Sequence, residues 1–274
     1  WEVHVSSVER ALAVAPWTAL LAAVGLSAAA CDEMLPGDSI TGSGELVTET
    51  YDLADFAKVD VGHAFDAEIA PSDTFSVAVT VDDNILENVE VRLDDGTLRV
   101  GMEGNDGYRN ATMDMAITMP ALDHLKLTGA STAKLGGFSS TEPLRLELEG
   151  ASRADCSDMA PASAVFDLEG ASRVDCGGVS TGQTTVALQG ASSLSLTGTG
   201  GNADISGKGA SKADLGGFPV ATAKVKLEGA SQASVNTDGV LDVDLAGSSD
   251  VRYLGEPTLG EVKMRGDSTL EREG

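Results

Sequence analysis

The chain has 274 residues and a formal net charge of −25, with 43 Asp and Glu against 18 Lys and Arg. A surface this acidic repels phosphate backbones, which excludes nucleic-acid partners. Aromatic residues make up only 4% while Gly reaches 32, so a core must be assembled from Leu, Val and Ala around many bends.

In chain order, Arg10 precedes the uncharged run ALAVAPWTALLAAVGLSAAA (11–30), and Cys31 follows it. A basic residue, an apolar stretch and small residues before a cut site describe a secretory signal over 1–30. Ala28-Ala29-Ala30 suits an ordinary signal peptidase. The ending LSAAAC also resembles a bacterial lipoprotein signal, in which Cys31 is lipidated and becomes the mature N-terminus, although Ala28 stands where Leu or Val is usual. The lipoprotein is the leading reading. Simple secretion and a retained anchor are its alternatives, since twenty apolar residues just span a bilayer. All three export the rest of the chain to the periplasm or cell surface, with membrane association only through the N-terminal lipid or anchor. Residues 31–44 are polar and aperiodic and read as a flexible tether, leaving 45–274 as one β domain without a helical pattern.

From residue 121 onward the sequence repeats. Gly129, Gly150, Gly170, Gly190, Gly209, Gly229, Gly247 and Gly266 mark eight copies, 137 residues apart from first to last over seven intervals, a mean of about 19.6. With each Gly as zero, position −4 runs Leu125, Leu146, Phe166, Val186, Ile205, Val225, Val243, Val262. Position −2 is Leu in six copies, with Gly207 and Met264 as the exceptions, and position +4 runs from Ala133 to Leu270 through small and apolar residues. The odd positions are polar. Alternation of period two means strands with one buried face, and the Gly breaks each strand at a corner where a side chain would not fit. Each copy therefore reads as strand, bend, strand, then a turn such as GGF (136–138, 216–218). A coil of twenty residues cannot bury its inner face alone, whereas stacked coils close a continuous core. The fold class is all-β, a single-stranded parallel β-helix preceded by an N-terminal β-strand segment. The right-handed form is favoured because 19.6 does not fit the eighteen residues of a hexapeptide-built coil.

Position +2 is serine throughout: Ser131, Ser152, Ser172, Ser192, Ser211, Ser231, Ser249 and Ser268. These face inward beside the bend. No acid stands in phase with them, and His4, His63 and His124 lie outside the repeats, so the row reads as a structural ladder of hydroxyls bonded to one another and to corner backbone groups. Asp155 and Asp175 share the outward column +5, where two stacked carboxylates could hold a cation or act as an acid/base pair, but Arg153 and Arg173 sit two residues away to pair with them. RGD (265–267) arises from an outward residue and the bend Gly. GTGGN (198–202) opens no helix, so it does not read as a phosphate loop. No catalytic, metal or cofactor site is assigned.

Gly-x-Ser at this spacing, each copy preceded by an alternating strand, resembles the auto-transporter adhesin, head GIN domain family. FAKVDVGHAFDAEIAPSDTFSVAVTVDDNILENVEVRLDDGTLRVGM (56–102) is similar to that family's opening segment, with Asn84-Ile85-Leu86 and DGTL (95–98) at its characteristic steps. MDMAITMPALDHLKLTGAS (113–131) is similar to its lead into the repeats. The resemblance covers roughly 45–274. It implies a right-handed β-helix on an exported bacterial protein with an adhesive or surface role, and it brings no catalytic residues.

Cys156 and Cys176 both fall at +6, an inward column, so they stack one coil apart. An oxidising compartment favours a bridge and an apolar column favours inert thiols, so stacked thiols able to oxidise are expected. Three readings of function stay open: a non-enzymatic envelope protein binding an envelope or extracellular protein or glycan, a carbohydrate-active enzyme on the same fold, and a structural or envelope-sensing module. The first is preferred, because the turns are short and the aromatics that stack on sugars are scarce.

Overall fold

The computed structural model describes residues 39–104 and 107–273. The signal over 1–30, Cys31 and most of the tether lie outside the described residues. Ile40–Thr41, inside the range read as tether, is a short strand (β1) paired with Tyr108–Arg109, and the Gly44 amide is bonded to Asp82. The stretch from Ile40 to Gly44 thus belongs to the β domain rather than to a tether.

The repeats form a parallel β-helix of stacked coils, numbered 1 to 8 here by their bend glycines. The pairing register reproduces the sequence columns residue by residue. Leu125 pairs with Leu146, Leu146 with Phe166, Phe166 with Val186, and so on to Val262, while Leu127, Leu148, Leu168 and Leu188 form the adjoining column. Almost all inward side chains of coils 1 to 7 are buried, Leu125, Leu146, Leu168 and Ile205 completely. Identical columns stack because parallel coils place position on like position, which fills the core with no change of shape between neighbours.

The bend explains the invariant glycine twice over. Every bend Gly has φ between +76° and +89°, a region that costs a side-chain-bearing residue roughly 1–2 kcal/mol. Each also lies against the bend of the coil before it, so that Ala151, for example, donates its N–H to the Gly129 carbonyl at 2.8 Å and Ala171 donates to Gly150 at 2.7 Å. A β-carbon would intrude on that contact.

The turn after each second strand is more than a turn. Ser139–Ser140 pairs with Ala160–Pro161, and Val179 to Thr181 pair with Gly198 to Gly200, so the coil has a short third side. Phe138, Met159, Val179 and Phe218 are buried on it. The glycines of GTGGN serve this packing, since a β-carbon on Gly200 would lie 2.5 Å from the Phe218 ring.

The N-terminal half adds two more levels, visited out of order. β3 (Lys58–Val61) and β4 (Asp66–Pro71) stack directly on coil 1, with Val61 opposite Leu127 and Ala67 opposite Ala133. This level puts His63 in the bend column, with φ +66°, and its carbonyl accepts the Ala130 N–H at 2.7 Å. Phe65, fully buried, takes the serine position. His63 therefore does sit in a repeat, a degenerate one that VDVGHAFDAEIA conceals because neither Gly nor Ser marks it. The chain then makes β5 (Ser76–Asp82), a 3₁₀ turn (Asp83–Asn88), β6 (Val89–Asp94) and β7 (Thr97–Met102). After β8 (Tyr108–Arg109) it continues into β9 (Met113–Met119). β7 pairs with β3 and β9 with β4, so the later segment forms the outer level and the chain returns past β3 and β4 to start coil 1.

Antiparallel strands close this end. β5 lies on β9, β2 (Leu46–Tyr51) lies on β5, and β6 lies on β7 through an Asp95-Gly96 hairpin with φ of +46° and +69°. Asp82, 1% exposed, accepts the N–H groups of Gly44 (2.5 Å) and Thr112 (2.7 Å) and so ties three segments of the cap together. In coil 8 the inward Leu259, Val262 and Met264 are partly exposed, and Arg272 occupies the +6 column.

Candidate functional site

The serine row is committed to structure. Seven of the eight hydroxyls donate to the carbonyl three residues back in their own bend, among them Ser152 to Glu149 at 2.8 Å and Ser172 to Glu169 at 2.8 Å. The eighth, Ser211, donates to Ser231 at 3.1 Å, the one hydroxyl-to-hydroxyl bond along the row, so the ladder runs through backbone carbonyls far more than through hydroxyl pairs. A hydroxyl whose proton satisfies a corner carbonyl is not poised as a nucleophile. Cys156 and Cys176 are paired in register with Cα atoms 4.4 Å apart, and the structure joins their sulfurs in a disulfide.

Two outward strand faces remain. On the first, formed by positions +3 and +5, the Arg153 guanidinium donates to Asp155 at 2.7 Å and across the coil to Asp175 at 2.9 Å. Arg173 donates to Asp175 at 2.6 Å. These carboxylates hold both guanidiniums above their ordinary range. The stacked acids are thus neutralised by the arginines beside them, and among the described residues no group of His, Cys, Asp and Glu could hold a metal ion.

Further along the same face the ladder opens into a hollow of about 390 Å³ between coils 5, 6 and 7. Its rungs are Lys212 with Asp214, Gln232 with Ser234, and Asp250 with Arg252. The hollow exists because Gly216 and Gly217 carry no side chains where the strand register shifts, and because Ser234 is small. Asp214 accepts the Gly216 N–H at 3.2 Å, and Asp250 accepts the Thr269 hydroxyl at 2.7 Å. Among the described residues neither Lys212 nor Arg252 has an ion-pair partner within 4.0 Å, in contrast to Arg153 and Arg173.

The second face, at positions −5, −3 and −1, carries an ion-pair network across coils 1 to 3. Lys126 donates to Glu147 and to Glu149, both at 2.7 Å, and Arg145 donates to Asp167 at 2.7 Å. The Lys126 bond holds Glu147 below the usual carboxylate range, while the two glutamates raise Lys126. His124 lies 3.5 Å from Glu147, and burial pushes it down in spite of that carboxylate. RGD (265–267) spans an ordinary bend, with Arg265 paired to Asp244 at 2.7 Å.

The model of the family described as "Putative auto-transporter adhesin, head GIN domain" matches residues 55–257. The chain belongs to this family. The head GIN match begins just before β3 and therefore includes the degenerate His63 level along with the bends from Gly129 to Gly247. Among solved structures, a "putative adhesin" from Parabacteroides merdae is similar with a TM-score of 0.78 and 18% identity over 87% of this chain and 100% of that one. A "putative adhesin" from Parabacteroides distasonis gives 0.76 and 17% over 86% and 100%. A "putative lipid binding protein" from the same species gives 0.74 and 15% over 86% and 100%. At these identities the likeness is one of fold. No curated protein matches the chain.

Sequence reasoning located the Arg–Asp ladder of this head GIN domain but missed the hollow. The residues flanking it are ordinary outward polar positions in the sequence, and the paired glycines at 216–217 read there only as a turn.

Proposed function

We propose that this head GIN protein is an exported, non-enzymatic envelope protein, held to a bacterial membrane by lipid on Cys31, whose outward strand faces bind an envelope or extracellular partner. The observation that carries the reading is the commitment of its reactive groups. The serine hydroxyls are bonded to bend carbonyls, and the stacked Asp155 and Asp175 are bonded to arginines. What is left for function is a stack of flat polar strand faces, which suits surface recognition better than turnover. The family description and the adhesin descriptions of two similar structures support the same reading.

The test uses the full chain. A fatty-acid analogue fed to the producing cells is expected to label the protein through Cys31, and Cys31→Ser to release it in soluble form. Immobilised on beads, the protein is expected to retain a saturable component of an envelope extract. A polysaccharide depolymerisation screen is expected to show no turnover; turnover abolished by Asp175→Ala would replace this reading with that of a carbohydrate-active enzyme.

A further inference from the structure

We propose that the hollow between Lys212 and Arg252 is a subsite for a carboxylate-bearing sugar unit of an acidic glycan. The inference rests on the binding reading above and deepens it. On this face the arginines of coils 2 and 3 are neutralised by their neighbours, whereas Lys212 and Arg252 border the hollow without an ion-pair partner among the described residues. The lining sets these two cations against the carboxylates of Asp214, Asp250 and Glu273 on a chain of net charge −25, so attraction of a negative group is local to the Lys212 and Arg252 heads.

The remaining lining selects within anions. Asp214, Asp250 and Glu273 line the same hollow, so a dianionic phosphate would meet three carboxylates. A sugar acid suits this mixture. Its single carboxylate accepts from the Arg252 fork and from Lys212. Its hydroxyls donate to Asp214 and Asp250 and accept from the Gln232 amide, which makes no side-chain hydrogen bond among the described residues. Leu254, half-buried beside Gly216, offers an apolar floor for the C–H face of a ring. The volume of about 390 Å³ lies near the lower end of the roughly 300–1,000 Å³ typical of small-ligand sites, enough for one or two rings.

The test titrates isotope-labelled full-length protein with two matched pairs of probes, followed by amide chemical shifts: digalacturonate against galactobiose, and sialyllactose against lactose. At least one acidic probe is expected to bind at least tenfold more tightly than its neutral counterpart and to move the amides of coils 5 to 7. Arg252→Ala is expected to weaken that binding at least tenfold, Arg252→Lys less, with all variants melting as wild type because Arg252 points outward. Equal binding of acidic and neutral probes, shifts confined to other coils, or wild-type affinity in Arg252→Ala would each overturn the proposal. Silence from all four probes would overturn it too, while retention of an envelope component on beads would leave the broader binding reading standing. If Arg252→Ala abolished capture of a protein component and the sugars moved nothing, the hollow would be a protein-docking surface instead.

Discussion

A β-carbon on Gly170 would sit 2.5 Å from the carbonyl oxygen of Gly150, the bend glycine one coil earlier. The steric conflict adds to the backbone cost of φ +79°, and relieving it means moving a bend that is itself stacked on another. Gly170→Ala is expected to destabilise by about 3 kcal/mol or more in denaturant unfolding. Gly177→Ala is the control, because its nearest neighbour would be the Thr197 hydroxyl at 3.6 Å; it should change stability by no more than about 0.5 kcal/mol. Equal effects at the two sites would show that the bends tolerate a side chain.

The serine row yields a graded comparison. Ser172 is 1% exposed and its bond to the Glu169 carbonyl is part-buried, so Ser172→Ala removes a bond that water replaces only incompletely and should cost about 1 kcal/mol. Ser268 makes the equivalent bond to Arg265 in the exposed last coil, where water replaces the hydroxyl, and Ser268→Ala should cost less than about 0.5 kcal/mol. Chemical denaturation of the two variants side by side measures the difference.

The Cys156–Cys176 bridge closes a loop of twenty residues between adjacent coils. Thiol titration of denatured, non-reduced protein should find neither of these two free. Cys156→Ser with Cys176→Ser should lower stability by up to about 3 kcal/mol, the amount that such a loop removes from the unfolded state's entropy. Two titratable thiols in the freshly exported protein would show that the stacked pair stays reduced.

Acid should weaken the fold in two windows. Burial holds His124 below its ordinary pKa, so the folded state stays neutral there while the unfolded chain takes up a proton below about pH 6.5. This part of the stability is complete above that pH and falls as the pH drops. Asp82 is held low by the amides of Thr112 and Gly44. Its contribution is present above about pH 3.9 and is lost as the pH falls through the folded value. Unfolding free energies at pH 7, 5 and 3 should show His124→Gln flattening the first step and Asp82→Asn flattening the second. Unchanged slopes in both variants would remove these groups from the acid response.

Much of the solenoid is legible in the sequence because parallel stacking sets like above like. The columns from Leu125 to Val262 and from Leu127 to Met264 pair in the structure as the spacing requires, and Cys156 falls opposite Cys176 for the same reason. The chain's own order also hid something. β7 and β9 follow β3 and β4 in sequence yet stack outside them, and no local pattern states which of two strands another will choose. His63 and Phe65 fill the bend and serine columns without resembling Gly or Ser, so no residue type in the sequence marks that level. The hollow beside Lys212 and Arg252 was decided by tertiary structure alone: it needs a register shift at Gly216, a small Ser234 and two cations on separate coils, without ion-pair partners among the described residues, to meet at one place. Periodicity encodes which residues face inward, since burial acts on every coil alike. Which outward residues pair and which stay free depends on side chains from different coils, and that geometry exists only once the stack has formed.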